Sequence, residues 1–316
     1  MGAAFTQMEP ARPSFLASSP VFEPLEKGKF SEDLHQSGPW ILDDEPSSED
    51  LGEGGRLERL QAFLASGEKP VAVGWGSMIA EGLPPAAMLG VALRALRESG
   101  RRGVVLGGWA RLHELGEKLV ADGYLADMVS KADVGDTYEA TVELAEFAES
   151  SVLFIDEAPH GWLLPRCSCF VHHGGAGTTA AALRSGRPTI VTPCGFDQPM
   201  QGRKVVAVGA GLALPPLADV TPPMLADALR KATTDSGLID GAATIGEALR
   251  AEDGVGAAVR FVDDFFSKEV ATGAWAERSA RLHAKLREYE SPSCCTRLAF
   301  LCAKLCTNSV KCLVTM

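Results

Sequence analysis

The sequence predicts an α/β fold built on a doubly wound parallel sheet. Three observations carry that expectation. Short β-rich runs alternate with helical ones from Pro70 onward, several of those runs end in glycine-containing turns, and 46% of the 316 residues are apolar. A chain of that size and composition buries one large core or two moderate ones. Alternating strands and helices imply a parallel sheet covered on both faces, and such sheets take ligands beyond the carboxyl ends of their strands.

Taken in order, residues 1–56 are rich in Pro, Ser, Glu and Asp with apolar islands such as FLASSPVF, and read as an arm or linker in which no core starts. A doubly wound α/β domain is expected over 57–267. It opens with the strand PVAVGWGS and the helix PPAAMLGVALRALRESG, followed by the strand RRGVVLGGW and the helix ARLHELGEKLVADG. Residues 122–150 form an acidic, partly helical insert without evident chemistry, read as a surface excursion. The alternation resumes with SSVLFID, a short WLLPR turn, the strand SCFVHH, a helix from AGTTAA, the strand RPTIVTP, the helix QPMQGRKVVAVGAG and the strand LALPPL. Thr221, before two prolines, is the expected N-cap of the amphipathic run PPMLADALRKATTD. Helical segments continue to about residue 290, and 268–316 hold a C-terminal helix and a cysteine-rich tail. Residues 74–78, 107–109, 156–162, 172–179 and 193–198 all follow strands and should line one rim.

Charge narrows the function. Thirty basic against 41 acidic residues give a net charge of -11, so the surface as a whole has no attraction for nucleic acid or anionic lipid. Any phosphate must be held locally. No stretch of about 20 apolar residues and no basic-then-apolar start is visible, which points to the cytosol, with peripheral membrane contact left open. Of eight cysteines, Cys167, Cys169 and Cys194 adjoin apolar strands and the other five crowd into 294–312, a pattern that suits reduced thiols better than disulfides. The start MGAAFT fits an acylation pattern at Gly2, and the tail cysteines are conceivable palmitoylation sites; a tail packing on another domain is the plainer reading. Cys295, Cys302 and Cys306 share a helical face without the paired spacing of a zinc site, and no metal or cofactor is expected.

The chemistry concentrates in FVHHGGAGTTAA, residues 170–181. Gly174, Gly175 and Gly177 let backbone amides approach a bound group without side chains in the way. Thr178 and Thr179 fall in the first helical turn, where free amides and the helix dipole favour an anion. A phosphate or diphosphate is the natural occupant, with His173 as a donor to it and His172 as a satisfied core histidine. GAGTTA also fits the dinucleotide fingerprint, with Asp197 as the ribose acid, which keeps an NAD-dependent dehydrogenase as an alternative. Against it, at least two strand-helix units precede the glycines.

VGWGSM, GGWARL, PHGWLLPR, HHGGAGTTAAALRSGRPT and DQPMQGRKV, in that order, resemble the C-terminal half of GT-B-fold UDP-glycosyltransferases, nearest to sterol 3β-glucosyltransferases and related antibiotic glycosyltransferases. SFLASSPVF and SGPWILDDE look like the segment that joins the two halves of such enzymes. The resemblance implies that Ser77 lies near the nucleotide diphosphate, its plainer role being an N-cap. It implies that His160 reads the uracil edge and that His173, Gly175, Gly177 and Thr178 bind the diphosphate. Asp197 and Gln198 would grip the donor sugar's hydroxyls, as a carboxylate and an amide can. Trp162 reads as packing, and Trp109 stays open between packing and ligand contact. The donor implied is UDP-glucose or a similar UDP-sugar, the acceptor a lipid-like hydroxyl such as a sterol. The half that supplies the general base should precede SFLASSPVF by some 150 residues, and only about a dozen stand there. The acceptor domain is thus expected to be essentially absent, no catalytic residue is assigned, and a separate N-terminal-half chain or a non-catalytic binding subunit enters as an alternative.

Overall fold

The structure is a computed structural model that describes residues 13–25, 34–41, 55–128 and 138–290. Gly2 and the five tail cysteines lie outside the described residues, so the acylation, palmitoylation and zinc readings do too. The described residues form two compact units, one containing 18–24 and most of the chain up to Asp253, the other containing 13–17, 34–38 and 254–290.

The larger unit is the expected sheet. Helix α1 (Arg56–Ala65) precedes strand β3 (Val71–Val73), helix α2 (Pro85–Ser99), β4 (Gly103–Leu106), α3 (Leu112–Asp122), α4 (Tyr138–Ser151) and β5 (Val152–Ile155). A short helix α5 (His160–Leu163) leads to β6 (Cys169–His172), α6 (Ala176–Arg184), β7 (Thr189–Val191), α7 (Gln198–Ala207) and β8 (Gly211–Ala213), with α8 (Pro222–Thr234) and α9 (Ser236–Arg250) closing the unit. The six strands run parallel in the order β5-β4-β3-β6-β7-β8. Sequential order reverses between β3 and β6, which is where an open α/β sheet forms its binding crevice.

Val71, Ala72 and Val73 are buried on both faces, as a central parallel strand requires. Helix α2 is buried without a break from Ala87 to Leu96. Gly90 is part of the reason, since a Cβ there would meet the Met128 carbonyl oxygen at 2.2 Å. Thr221 caps α8 as expected, its hydroxyl accepting from the Met224 amide.

Two expectations change. The second half of the insert is not a surface excursion: α4 carries Leu144, Ala145 and Ala148 into the main core, because their spacing forms an apolar stripe. The arm also contains structure in the smaller unit. Here β1 (Ser14–Leu16) and β2 (Leu34–Gln36) pair in parallel, and α10 (Gly254–Phe265) and α11 (Ala274–Glu290) follow the sheet unit. Phe15 meets Phe261 edge-on at 5.0 Å and His35 lies 4.1 Å from the same ring. Those contacts explain why α10 groups with the arm strands, so the sheet unit ends at Asp253 rather than near 267.

Candidate functional site

The turn after β6 is shaped from within. His172 is fully buried, stacked on Phe170 at 4.9 Å, and its Nδ1 accepts the Gly174 amide at 3.0 Å. That bond fixes the tautomer with the proton on Nε2, a nitrogen that has no hydrogen-bond partner. Burial, and secondarily the two neighbouring histidines, push its pKa down to about 3, so the ring is neutral and the core reading stands. Gly174 has φ 91 and a Cβ there would come within 2.6 Å of Val191, so only glycine fits.

Helix α6 starts from Gly175 with no side-chain cap, and its first backbone bond runs from the Thr179 amide to the Gly175 carbonyl. The amides of Ala176, Gly177 and Thr178 precede that bond and have no acceptor inside the helix. Ala176 and Gly177 are exposed, and a Cβ on Gly177 would meet nothing within 4 Å. Packing therefore does not require that glycine, and the amides at this helix end are open to approach. Thr178 is half-buried at the same end, whereas the Thr179 hydroxyl is sealed in the interior and unavailable to a ligand.

His173 closes the other side. Its ring lies against Gly175, where a Cβ would sit 2.4 Å from Nε2, and against Gly76, whose Cβ would be 3.5 Å from Cε1. The loops after β3 and β6 thus meet at the crevice through this imidazole. Nδ1 is buried and unpartnered. Burial lowers the His173 pKa, His160 lowers it further, and Asp197 opposes both. His160, Asp197 and His173 therefore share one electrostatic neighbourhood, and His160 is itself held neutral by burial.

The rim is knitted by hydrogen bonds the sequence did not announce. The indole of Trp75, almost wholly buried, donates to Thr192 Oγ1 at 2.8 Å, and the Thr192 amide donates to the His172 carbonyl at 2.9 Å. The Trp109 amide donates to the Gly76 carbonyl at 2.9 Å, and the residue remains 75% exposed at the rim. Trp162 packs in the interior under the Arg166 guanidinium, as expected. Ser77 is exposed in a turn closed by Met78 N donating to Trp75 O, eight residues before α2 begins at Pro85. It is no N-cap.

Beyond β7, Asp197 occupies the N-cap position of α7 but its carboxylate caps nothing and is exposed. Gln198 is 3% exposed, and its Oε1 accepts the amides of Cys194 at 2.7 Å and Gly195 at 3.0 Å. Its oxygen therefore holds the loop, leaving only Nε2 to offer a ligand. Gln201, one turn on, has a buried Oε1 without a partner. Cys167, Cys169 and Cys194 are free, and burial raises all three thiols, Cys194 to about 11. Among the described residues no group of three or more His, Cys, Asp or Glu is placed to hold a metal ion, and no helix is long and apolar enough to cross a membrane.

This arrangement can hold an anion at the α6 terminus, which carries about half a positive charge, beside an imidazole and within reach of a free carboxylate. The dinucleotide alternative loses ground, because the GAGTTA turn follows β6 rather than the first strand of the sheet.

Residues 139–254 match the family model described as the C-terminal domain of erythromycin biosynthesis protein CIII-like proteins. Sterol 3-beta-glucosyltransferase UGT80A2 of Arabidopsis thaliana is 32% identical over 64% of this chain and 26% of its own length. The sterol 3-beta-glucosyltransferase of Saccharomyces cerevisiae is also 32% identical, over 73% of this chain and 17% of its own. The chain thus spans about a quarter or less of these relatives' length. Among solved structures, the glycotransferase of kitacinnamycin superposes with a TM-score of 0.53 at 20% identity, over 79% of this chain and 54% of that one.

Proposed function

We infer that this chain is the C-terminal, donor-binding half of a GT-B glycosyltransferase, a reading supported by the matched family model and relatives, and that it holds a UDP-sugar, UDP-glucose in the first instance, for hexose transfer to a lipid-like hydroxyl such as that of a sterol. The observation that carries this reading is the uncapped α6 terminus, whose first three amides have no acceptor inside the helix and lie beside the His173 imidazole. A diphosphate would supply acceptors for those amides. During transfer the anomeric carbon separates from the diphosphate, and charge that develops there is stabilised by donors already in place. His160, in the His173 neighbourhood, is suited to a uracil edge, since a neutral imidazole offers one donor and one acceptor. Asp197, exposed and uncommitted, is suited to the sugar's hydroxyls.

The general base that deprotonates the acceptor is assigned to no residue of this chain. The reading is tested by calorimetry with UDP and by turnover with UDP-glucose and a sterol, with and without an added N-terminal half from a relative. UDP binding with micromolar affinity, and turnover only in the reconstituted mixture, are expected. A chain that ignores UDP, or that UDP binds undiminished after Gly175 and Thr178 are both replaced by Val, overturns it.

A further inference from the structure

The crevice is built from left-handed turns, one after each of four strands. Gly76 follows β3 with φ 57, Gly108 follows β4 with φ 55, Gly174 follows β6 with φ 91, and Phe196 follows β7 with φ 57. Three of the four positions hold the residue that adopts this conformation freely. The fourth holds a bulky aromatic, for which it is a real outlier.

Phe196 gains nothing from the fold in exchange. Its side chain is 89% exposed, the most exposed large apolar residue among those described. Nor is the conformation an accident of a loose loop. The buried Gln198 carboxamide ties down Cys194 and Gly195 immediately before it, and the Asp197 carbonyl receives the amides of Met200 and Gln201 immediately after it. The backbone on both sides is anchored, so the strain is imposed, and the ring is exposed one position before the exposed, uncapping carboxylate of Asp197.

An aromatic face next to an uncommitted carboxylate matches a hexose. A hexose presents hydroxyls around its edge and C–H groups on its faces, and the negative face of an aromatic ring attracts those C–H groups. We propose that Phe196 is a specificity-determining residue that stacks on the hexosyl group of the donor, while Asp197 takes its hydroxyls. The proposal rests on the UDP-sugar reading given above and assigns the sugar half of that ligand to a ring the sequence did not single out.

The test compares UDP with UDP-glucose by calorimetry on the intact chain and on three variants. F196G removes the ring and the strain together, F196N removes the ring while tolerating the left-handed conformation, and F196W keeps an aromatic face. F196G and F196N are expected to bind UDP within twofold of the parent, to lose at least fivefold in the affinity ratio of UDP-glucose to UDP, and to keep or raise the melting temperature. F196W is expected to retain most of the parent's ratio. An unchanged ratio in F196G, or a parent that binds UDP but gains nothing from the glucosyl group, overturns the stacking role while leaving UDP binding intact. A melting temperature lowered by several degrees in both F196G and F196N overturns it as well, since the ring would then serve the fold. A parent that binds neither ligand overturns the donor-binding reading and this one together.

Discussion

His173 ties the binding chemistry to pH. Burial holds its pKa below the ordinary value, and an adjacent diphosphate would raise it, so between the free and bound values the complex takes up a proton. UDP affinity is therefore expected to strengthen as pH falls through the bound-state pKa toward the free value, which lies below the ordinary 6.5. Calorimetry in buffers of different ionisation enthalpy should show proton uptake that disappears in H173N. His172 makes a separate prediction about stability. Its pKa is depressed to about 3, so the unfolded chain binds the proton first as pH falls below 6.5, and stability present above that value is lost progressively toward pH 3. At full effect the slope is about 1.4 kcal/mol per pH unit. Urea unfolding between pH 7.5 and 5 should show a shallower decline in H172N, whatever that variant loses at neutral pH. Gly177 separates packing from ligand approach most cleanly. With nothing within 4 Å of a Cβ, G177A should raise stability by roughly 0.5–1 kcal/mol through helix propensity. If the Gly177 amide lies against the diphosphate, the same change should weaken UDP about tenfold, near 1.4 kcal/mol. Tighter or equal binding would remove Gly177 from the cradle.

At the scale of elements, α4 is where sequence and structure part. Its acidic residues disguise a stripe in which Leu144 is 1% and Ala148 0% exposed. Net charge over a window says little about one face of a helix, and the three-to-four spacing of the apolar residues was the signal available. L144A should cost about 2–5 kcal/mol by chemical denaturation, as cavity formation in a core does, where a surface excursion would lose less than 0.5. The N-cap alternative for Ser77 failed for a related reason: serine after a strand suggests a helix start, yet two prolines further on fix that start at Pro85 instead. The glycine turn, by contrast, was legible because Gly174 and Gly175 have no substitute where Val191 and the His173 ring crowd the backbone. Phe196 was not legible, since nothing in the string CGFDQP reveals a positive φ.

For the whole molecule, the parallel sheet and the gathering of the loops at one rim followed from the alternation of β and α segments, because such sheets take ligands beyond the carboxyl ends of their strands. The boundary at Asp253 did not, as it depends on aromatic contacts between Phe15, His35 and Phe261 that are distant in sequence. The side-chain bonds at the strand ends were equally hidden, for Trp75 and Thr192 stand 117 positions apart. Those bonds join the tops of β3, β7 and β6 into one frame before any donor arrives. A frame already set has little left to rearrange, so stopped-flow mixing with UDP should give a single phase whose rate climbs linearly with nucleotide concentration. A plateau in that rate would mean that an internal isomerisation governs entry instead.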